Sequence, residues 1–163
     1  MNLSKNLTLR EVTKSDTAIR KGVSNEPNAE QLENLKVLAN EVFQKIRDHF
    51  GVPIKVTSGF RSEALNKLIK GSKTSDHMKG CAIDIDMDGT PDITNAQVFN
   101  FIKDNLTFRQ LIWEFGDIIT QTGYMLLILK ETIRSRFSER LKRVVRQFMC
   151  LIKVKESFRE AWF

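Results

Sequence analysis

The chain has 163 residues, 41% hydrophobic and 28% charged, an ordinary balance for one globular domain with its own core and unlike a disordered or fibrous chain. No run of about 18 apolar residues occurs, so no membrane-spanning helix is expected, and Met1–Arg10 lacks the apolar stretch of a secretory signal, so the protein is expected to be cytoplasmic as synthesised. The net charge of +6 invites a polyanionic partner, but residues 118–163 hold 10 Lys and Arg against 4 Asp and Glu and account for all of it. The basicity therefore belongs to one segment rather than to a folded face, and nucleic acid is not the expected partner.

In chain order, Leu7 to Arg20 reads as a short helical opening, ended by Gly22 and the Ser24-Asn25-Glu26-Pro27 loop. Asn28 with Gln31 three residues on is a capping-box pattern, and Leu32, Leu35, Leu38, Ala39, Val42, Phe43 and Ile46 recur at helical spacing as far as Phe50. Gly51 and Pro53 stop that helix, and Ile54–Thr57 alternates like a short strand. Ser62 is a candidate N-cap for a further helix reaching Gly71. After a polar loop from Gly71 to Lys79, Cys81–Asp86 alternates with period two, which predicts a strand with Ile83 and Ile85 toward the core and Ala82, Asp84 and Asp86 on the other face. Thr94 is placed to cap a helix over Ala96–Asn105 with Val98, Phe99 and Ile102 inward, and Leu111–Phe115 reads as a strand ending at Gly116. The fold class expected is α+β, a small antiparallel sheet with flanking helices. Cys81 and Cys150 lack a metal-type CxxC spacing and are read as reduced, with Cys81 turned away from Asp84 by strand alternation.

One stretch concentrates chemistry: Ser75-Asp76-His77-Met78-Lys79-Gly80-Cys81-Ala82-Ile83-Asp84. Imidazole and carboxylate are good zinc ligands, and a loop His seven residues before a strand Asp can converge with it on one ion, with Gly80 allowing the tight turn between them. Bare spacing of this kind is also found in ordinary surface pairs. The surrounding residues make it specific, because Ser75, His77, Gly80, Ala82 and Asp84 together match the signature Ser-x-His-x-x-Gly-x-Ala-x-Asp. The chain thereby resembles the zinc D-Ala-D-Ala carboxypeptidases and their relatives, the vancomycin-resistance D,D-dipeptidases and phage murein endopeptidases. Thr57–Ser62 is similar to the family's Ser-Gly-aromatic-Arg-Ser element, and Ser15–Arg20 and Trp113–Asp117 to further family segments, so the likeness runs from about Leu7 to Asp117.

The resemblance implies a Hedgehog/D,D-peptidase-like fold, Zn2+ held by His77 and Asp84, Arg61 polarising the substrate carbonyl or holding its carboxylate, and Ser75 positioning substrate through its hydroxyl. It implies the stem peptide of peptidoglycan as partner, acted on by a monomer, with a phage-type enzyme reaching the wall on lysis as one setting. Fixed guanidinium groups bind carboxylates bidentately and stabilise oxyanions, and zinc lowers the pKa of its bound water. Asp86, on the face of Asp84, is a candidate to support a ligand or a substrate amine from behind. Glu114 is weighed as a substitute base and read as structural.

The family's third zinc ligand, a His near the C-terminus preceded three residues earlier by an acidic general base in an Asp-Trp-Val-His type strand, has no counterpart here. The only other histidine is His49, read as a residue of the helix C-terminus. Likeness stops after Asp117, where the composition also changes. Taking the third base of each codon with the first two of the next, Thr120–Met125 can encode Pro-Asp-Trp-Val-His, for example ACC CAG ACT GGG TAC ATG read as CCA GAC TGG GTA CAT. The expected organisation is therefore an incomplete peptidase-like domain over residues 1–117 and a basic tail over 118–163 of out-of-frame origin, in which Tyr124–Leu129 and the Arg/Lys spacing from Arg134 to Arg146 suit an amphipathic helix. Two other functions are kept open: a non-catalytic relative that binds cell-wall peptide, and a basic protein whose tail binds nucleic acid or anionic membrane.

Overall fold

The opening is more broken than one helix. In this computed structural model, which describes residues 1–114 and 124–128, strands β1 (Asn2–Ser4) and β2 (Leu7–Thr8) form a small antiparallel hairpin. Helix α1 (Leu9–Thr13) starts at a reciprocal cap between Thr8 and Glu11, and α2 (Asp16–Lys21) starts afresh because the Ser15 hydroxyl accepts from the Ala18 N–H while Lys14 is extended. Two caps within eight residues nucleate two short helices where hydrophobic spacing alone suggests one. Gly22 ends α2 in the left-handed region.

Helix α3 (Ala29–Leu38) begins at the expected capping box, Asn28 accepting from the Gln31 N–H while the Gln31 side chain accepts from the Asn28 N–H. It runs on through one wide π turn, Ala39–Phe43, into α4 (Gln44–Phe50). The turn rotates the register without interrupting the apolar stripe, since Leu35, Leu38, Ala39, Val42, Phe43 and Ile46 are all buried. Each of these side chains other than Ala39 contributes about 1.5–3 kcal/mol on leaving water. Asn40 and Gln44 project from the opposite side and bind the β1–β2 hairpin through the Leu3 carbonyl and Asn6.

The second sheet has four strands, all antiparallel, in the order β3 (Lys55–Ser58), β4 (Ala82–Asp86), β6 (Tyr124–Ile128), β5 (Gln110–Glu114). Ile83 and Ile85, facing the core as expected, share their face with Met125 and Leu127, and all four are fully buried. Between β3 and β4 lie α5 (Glu63–Leu68), capped by Ser62, and the 3-10 turn Asp76–Lys79. Helix α5 stops short of Gly71 because Lys70 takes a positive φ and the Gly71 N–H returns to the Asn66 carbonyl. Helix α6 (Asn95–Asn105), capped by Thr94 and Gln97, lays Val98 and Ile102 into the core, while Phe99 is half-buried with its ring edge against Trp113.

The architecture is α+β, with small antiparallel sheets and flanking helices. The chain divides into two compact units, Met1–Lys130 and Glu131–Phe163, and everything described belongs to the first. Residues 124–128, within the segment that composition sets apart, form a strand; the amphipathic stretch from Arg134 and Cys150 lie outside the described residues. Among the described residues no helix is long and apolar enough to cross a membrane.

Gly80 is a tightly packed backbone position beside the sheet. It closes the 3-10 turn with φ 70°, and a Cβ there would stand 2.6 Å from the Gln31 carbonyl oxygen and 3.1 Å from Leu35 Cγ. Gly89 has φ 82° with open space around it. Gly89→Ala should therefore cost only the left-handed backbone penalty, about 1–2 kcal/mol, whereas Gly80→Ala should cost about 3 kcal/mol because helix α3 must also give way. Urea unfolding of the two variants measures the difference; equal losses would contradict the close packing of the turn on α3.

Candidate functional site

Two loops meet at the edge of β4. One is Gly59-Phe60-Arg61, leaving β3; the other is the 3-10 turn that carries His77 into β4. His77 Nδ1 donates to the Gly59 carbonyl at 2.6 Å, and the Arg61 N–H donates to the His77 carbonyl at 3.2 Å, so the loops are stitched by reciprocal bonds. With Nδ1 committed as a donor, the neutral ring carries its lone pair on Nε2. That nitrogen stands 3.5 Å from Asp84 Oδ1, and both side chains are more than nine-tenths buried.

Arg61 holds the other side of the carboxylate. Its Nη2 donates to Asp84 Oδ2 at 3.1 Å, and Nε and Nη2 both reach the Ser58 hydroxyl, at 3.0 and 2.8 Å. Asp84 thus presents one oxygen to a guanidinium and the other to an imidazole lone pair. Arg61 Nη1 makes no hydrogen bond among the described residues, and the side chain lines a cleft of about 500 Å³ bounded by Lys14, Arg20, Ser58, Phe60 and Leu65. The Ser15–Arg20 segment singled out in the sequence forms one wall.

The sequence-predicted residues are distributed as follows. His77, Asp84 and Arg61 converge. Ser75 sits at the start of the 3-10 turn, half-buried, its hydroxyl unbonded among the described residues. Asp86 looks away toward Lys55, with which it forms an ion pair. Burial raises the pKa of its carboxyl, and the Lys55 ammonium, the Asp88 N–H and Asn95 outweigh that, leaving it below the usual carboxylate range. His49 stacks on Phe101 at 4.1 Å in an aromatic cluster with Phe50. Cys81 is buried immediately before β4. Glu114 ends β5, opposite Tyr124 in the register.

Two ligands on a tetrahedral zinc, at about 2.0–2.2 Å from the metal, lie about 3.4 Å apart. The His77–Asp84 pair, with the outward nitrogen unprotonated and its other ring nitrogen fixed by a carbonyl, fits one edge of such a site. The set as a whole falls short of a catalytic centre, which takes three protein ligands. Among the described residues no third His, Cys, Asp or Glu joins the pair in a group able to hold a metal ion.

The Peptidase M15 family model matches residues 5–119, more than two thirds of the chain. The chain belongs to the Peptidase M15 family. Its members are zinc metallopeptidases, and the matched span contains Arg61, Ser75, His77 and Asp84. The match ends two residues beyond Asp117, where the basic excess begins. No curated protein matches this M15 chain.

Several positioning residues escape a reading by motif. Asn25, buried, donates to the Thr13 and Phe60 carbonyls and accepts from the Ser62 N–H, which fixes the Arg61 loop from both ends. Gln31 and Asn34, on the first turns of α3, donate to the Met78 and Lys79 carbonyls and hold the His77 turn. Arg109 and Lys79 pair with Asp76 on the same turn. Only the capping pattern of Gln31 was visible in the sequence, and it gave no hint of the second task of that side chain.

Removing Arg61 leaves the Asp84 carboxylate buried without its cation. Arg61→Leu should destabilise the fold by about 2–4 kcal/mol, and adding Asp84→Asn should recover a large part of the loss because the stranded charge goes with it. A double-mutant cycle by urea unfolding measures the coupling; strictly additive losses would show that the pair does not interact.

Proposed function

We propose that this M15 chain descends from a peptidoglycan-directed zinc peptidase that hydrolyses a peptide bond at or near D-alanine, and that the copy written here is impaired. The observation that carries the reading is the convergence of Arg61, His77 and Asp84, with Arg61 also lining a cleft of about 500 Å³. In it Arg61 offers its free Nη1 edge to a substrate carboxylate or to the oxyanion of a tetrahedral intermediate. Ser75 offers an uncommitted hydroxyl to the peptide backbone, while His77 and Asp84 are the metal-facing pair. With two ligands and no base of the family type, the described residues bind and orient a stem peptide better than they cleave it.

The impairment is attributed to a reading frame lost after Asp117. Three features coincide there: the end of the family match at residue 119, the onset of the basic excess, and the capacity of codons 120–125 to spell Pro-Asp-Trp-Val-His one base out of phase. The rival of a non-catalytic wall-peptide binder shares the Arg61 cleft and differs only in having no active ancestor frame.

The test compares the full chain with a version continued after Asp117 in the shifted frame, each given zinc and stem pentapeptides ending in D-Ala-D-Ala or cross-linked peptidoglycan, with product release followed by chromatography. The shifted-frame protein should hydrolyse substrate and lose activity to a chelator. The chain as written should be slower by about a thousandfold or more, in line with the loss of a base and a ligand. Equal rates, or an inert shifted-frame protein, would contradict the proposal.

A further inference from the structure

Outside the basic tail the charges of the chain balance, yet residues 64–75 carry Lys67, Lys70 and Lys73 and no Asp or Glu. All three lysines line a second cleft, of about 780 Å³, whose other walls include Gln31, Glu63 and Met78. The three are exposed and form no ion pair among the described residues. Lysines near a helix C-terminus commonly meet its last carbonyls, but here the backbone does so. The Ile69, Lys70 and Gly71 N–H groups return to the Leu65, Lys67 and Asn66 carbonyls. Lys70 holds φ 56°, a left-handed conformation that suits glycine and strains a lysine, and strain of this kind gathers at ligand sites. The turn that follows is organised as well. Asn66 Nδ2 donates to the Ser72 carbonyl at 2.9 Å and the Thr74 N–H to the Ser72 hydroxyl at 3.2 Å, so Lys73 rides on an ordered loop.

We propose that this cleft binds a polyol phosphate chain, with Lys67, Lys70 and Lys73 meeting its phosphodiester oxygens. Three ammonium groups against one carboxylate, that of Glu63, give the cleft a positive field that selects an anion. Ammonium groups act as point charges and suit tetrahedral phosphate, whereas a planar carboxylate is matched best by the fork of an arginine, which the lining lacks. The volume is that of a site for a ligand of many atoms rather than for one inorganic phosphate. No aromatic side chain lines the cleft, so the bases of a nucleic acid find no platform to stack on. The site uses none of Arg61, His77 and Asp84 and does not depend on the peptidase reading. On a cell wall that carries such chains, the contact would raise the local concentration of the protein at the wall.

The full chain is titrated with fluorescently labelled poly(glycerol phosphate) at several salt concentrations, beside polyglutamate and a single-stranded oligonucleotide of matched charge. Poly(glycerol phosphate) should bind with a salt dependence that marks released counterions. Lys67→Gln, Lys70→Gln and Lys73→Gln together should weaken it by at least about tenfold and flatten that dependence. Lys5→Gln, Lys21→Gln and Lys103→Gln remove the same charge elsewhere, leave the basic tail in place, and should weaken binding by less than about twofold. Lys70→Gly alone should raise the unfolding temperature, because the left-handed position suits glycine, while weakening binding by about threefold. Absence of binding would overturn the proposal, as would equal losses from the two triple variants, which would assign the binding to net charge or to the tail. Polyglutamate bound as tightly through the same lysines would overturn the choice of phosphate. An oligonucleotide bound more tightly through them would give the cleft to nucleic acid instead. Circular dichroism checks that the variants fold; should the first triple variant fail, Lys70→Gly with unchanged affinity would still overturn the proposal.

Discussion

A single short hydrogen bond, from His77 Nδ1 to the Gly59 carbonyl, sets the chemistry of this molecule. It joins two loops eighteen residues apart and decides which nitrogen of a buried imidazole is left with a lone pair. Because the ring is buried, an unmet donor would cost about 1–3 kcal/mol, so the tautomer is fixed by the fold rather than chosen by a ligand. The rest of the site follows from holding that bond. Gly80 allows the turn to close against α3, Gln31 and Asn34 hold the carbonyls of the turn, and Asn25 fixes the opposing loop. The helix that looks like mere scaffold in the sequence is the platform on which the His77 turn is mounted.

The two oxygens of Asp84 face opposite demands. One is neutralised by Arg61, which allows a carboxylate to stay charged at 6% exposure; the other faces the His77 lone pair, where two electron-rich atoms 3.5 Å apart gain nothing from each other unless a proton or cation is shared. The arrangement is thus organised on one side and unfinished on the other. Across the sheet Asp84 is register-paired with Leu126 of β6, the strand drawn from the segment whose composition departs from the rest, and that strand contributes Met125 and Leu127 to the core.

What could be read from the sequence was what local chemistry dictates. The caps at Asn28, Ser62 and Thr94, the buried stripe of α3 and α4 and the alternation of β4 all express periods or pairings within four residues, and the structure reproduces them. The His77–Asp84 pair stands out in the sequence only because Ser75, Gly80 and Ala82 surround it in a specific pattern. Bonds such as Asn25 to Phe60 or Gln31 to Met78 span thirty-five and forty-seven residues and leave no trace in local spacing. The β1–β2 hairpin was missed because two strands of three and two residues are too short to show alternation. The π turn was missed because it shifts the register without disturbing the apolar pattern. Neither the role of Gly59, where a Cβ would meet Val12 at 2.6–2.9 Å, nor the pairing of β6 with β4 could be seen without the partner.

The claim that the fold itself presets the tautomer of His77 is tested most directly by long-range proton–nitrogen correlation NMR of the full chain in metal-free buffer. The account predicts a single neutral tautomer for His77, protonated at Nδ1 with a slowly exchanging proton, and an Nε2 shift typical of an unprotonated ring nitrogen. An Nε2–H tautomer, or averaging between the two, would contradict it.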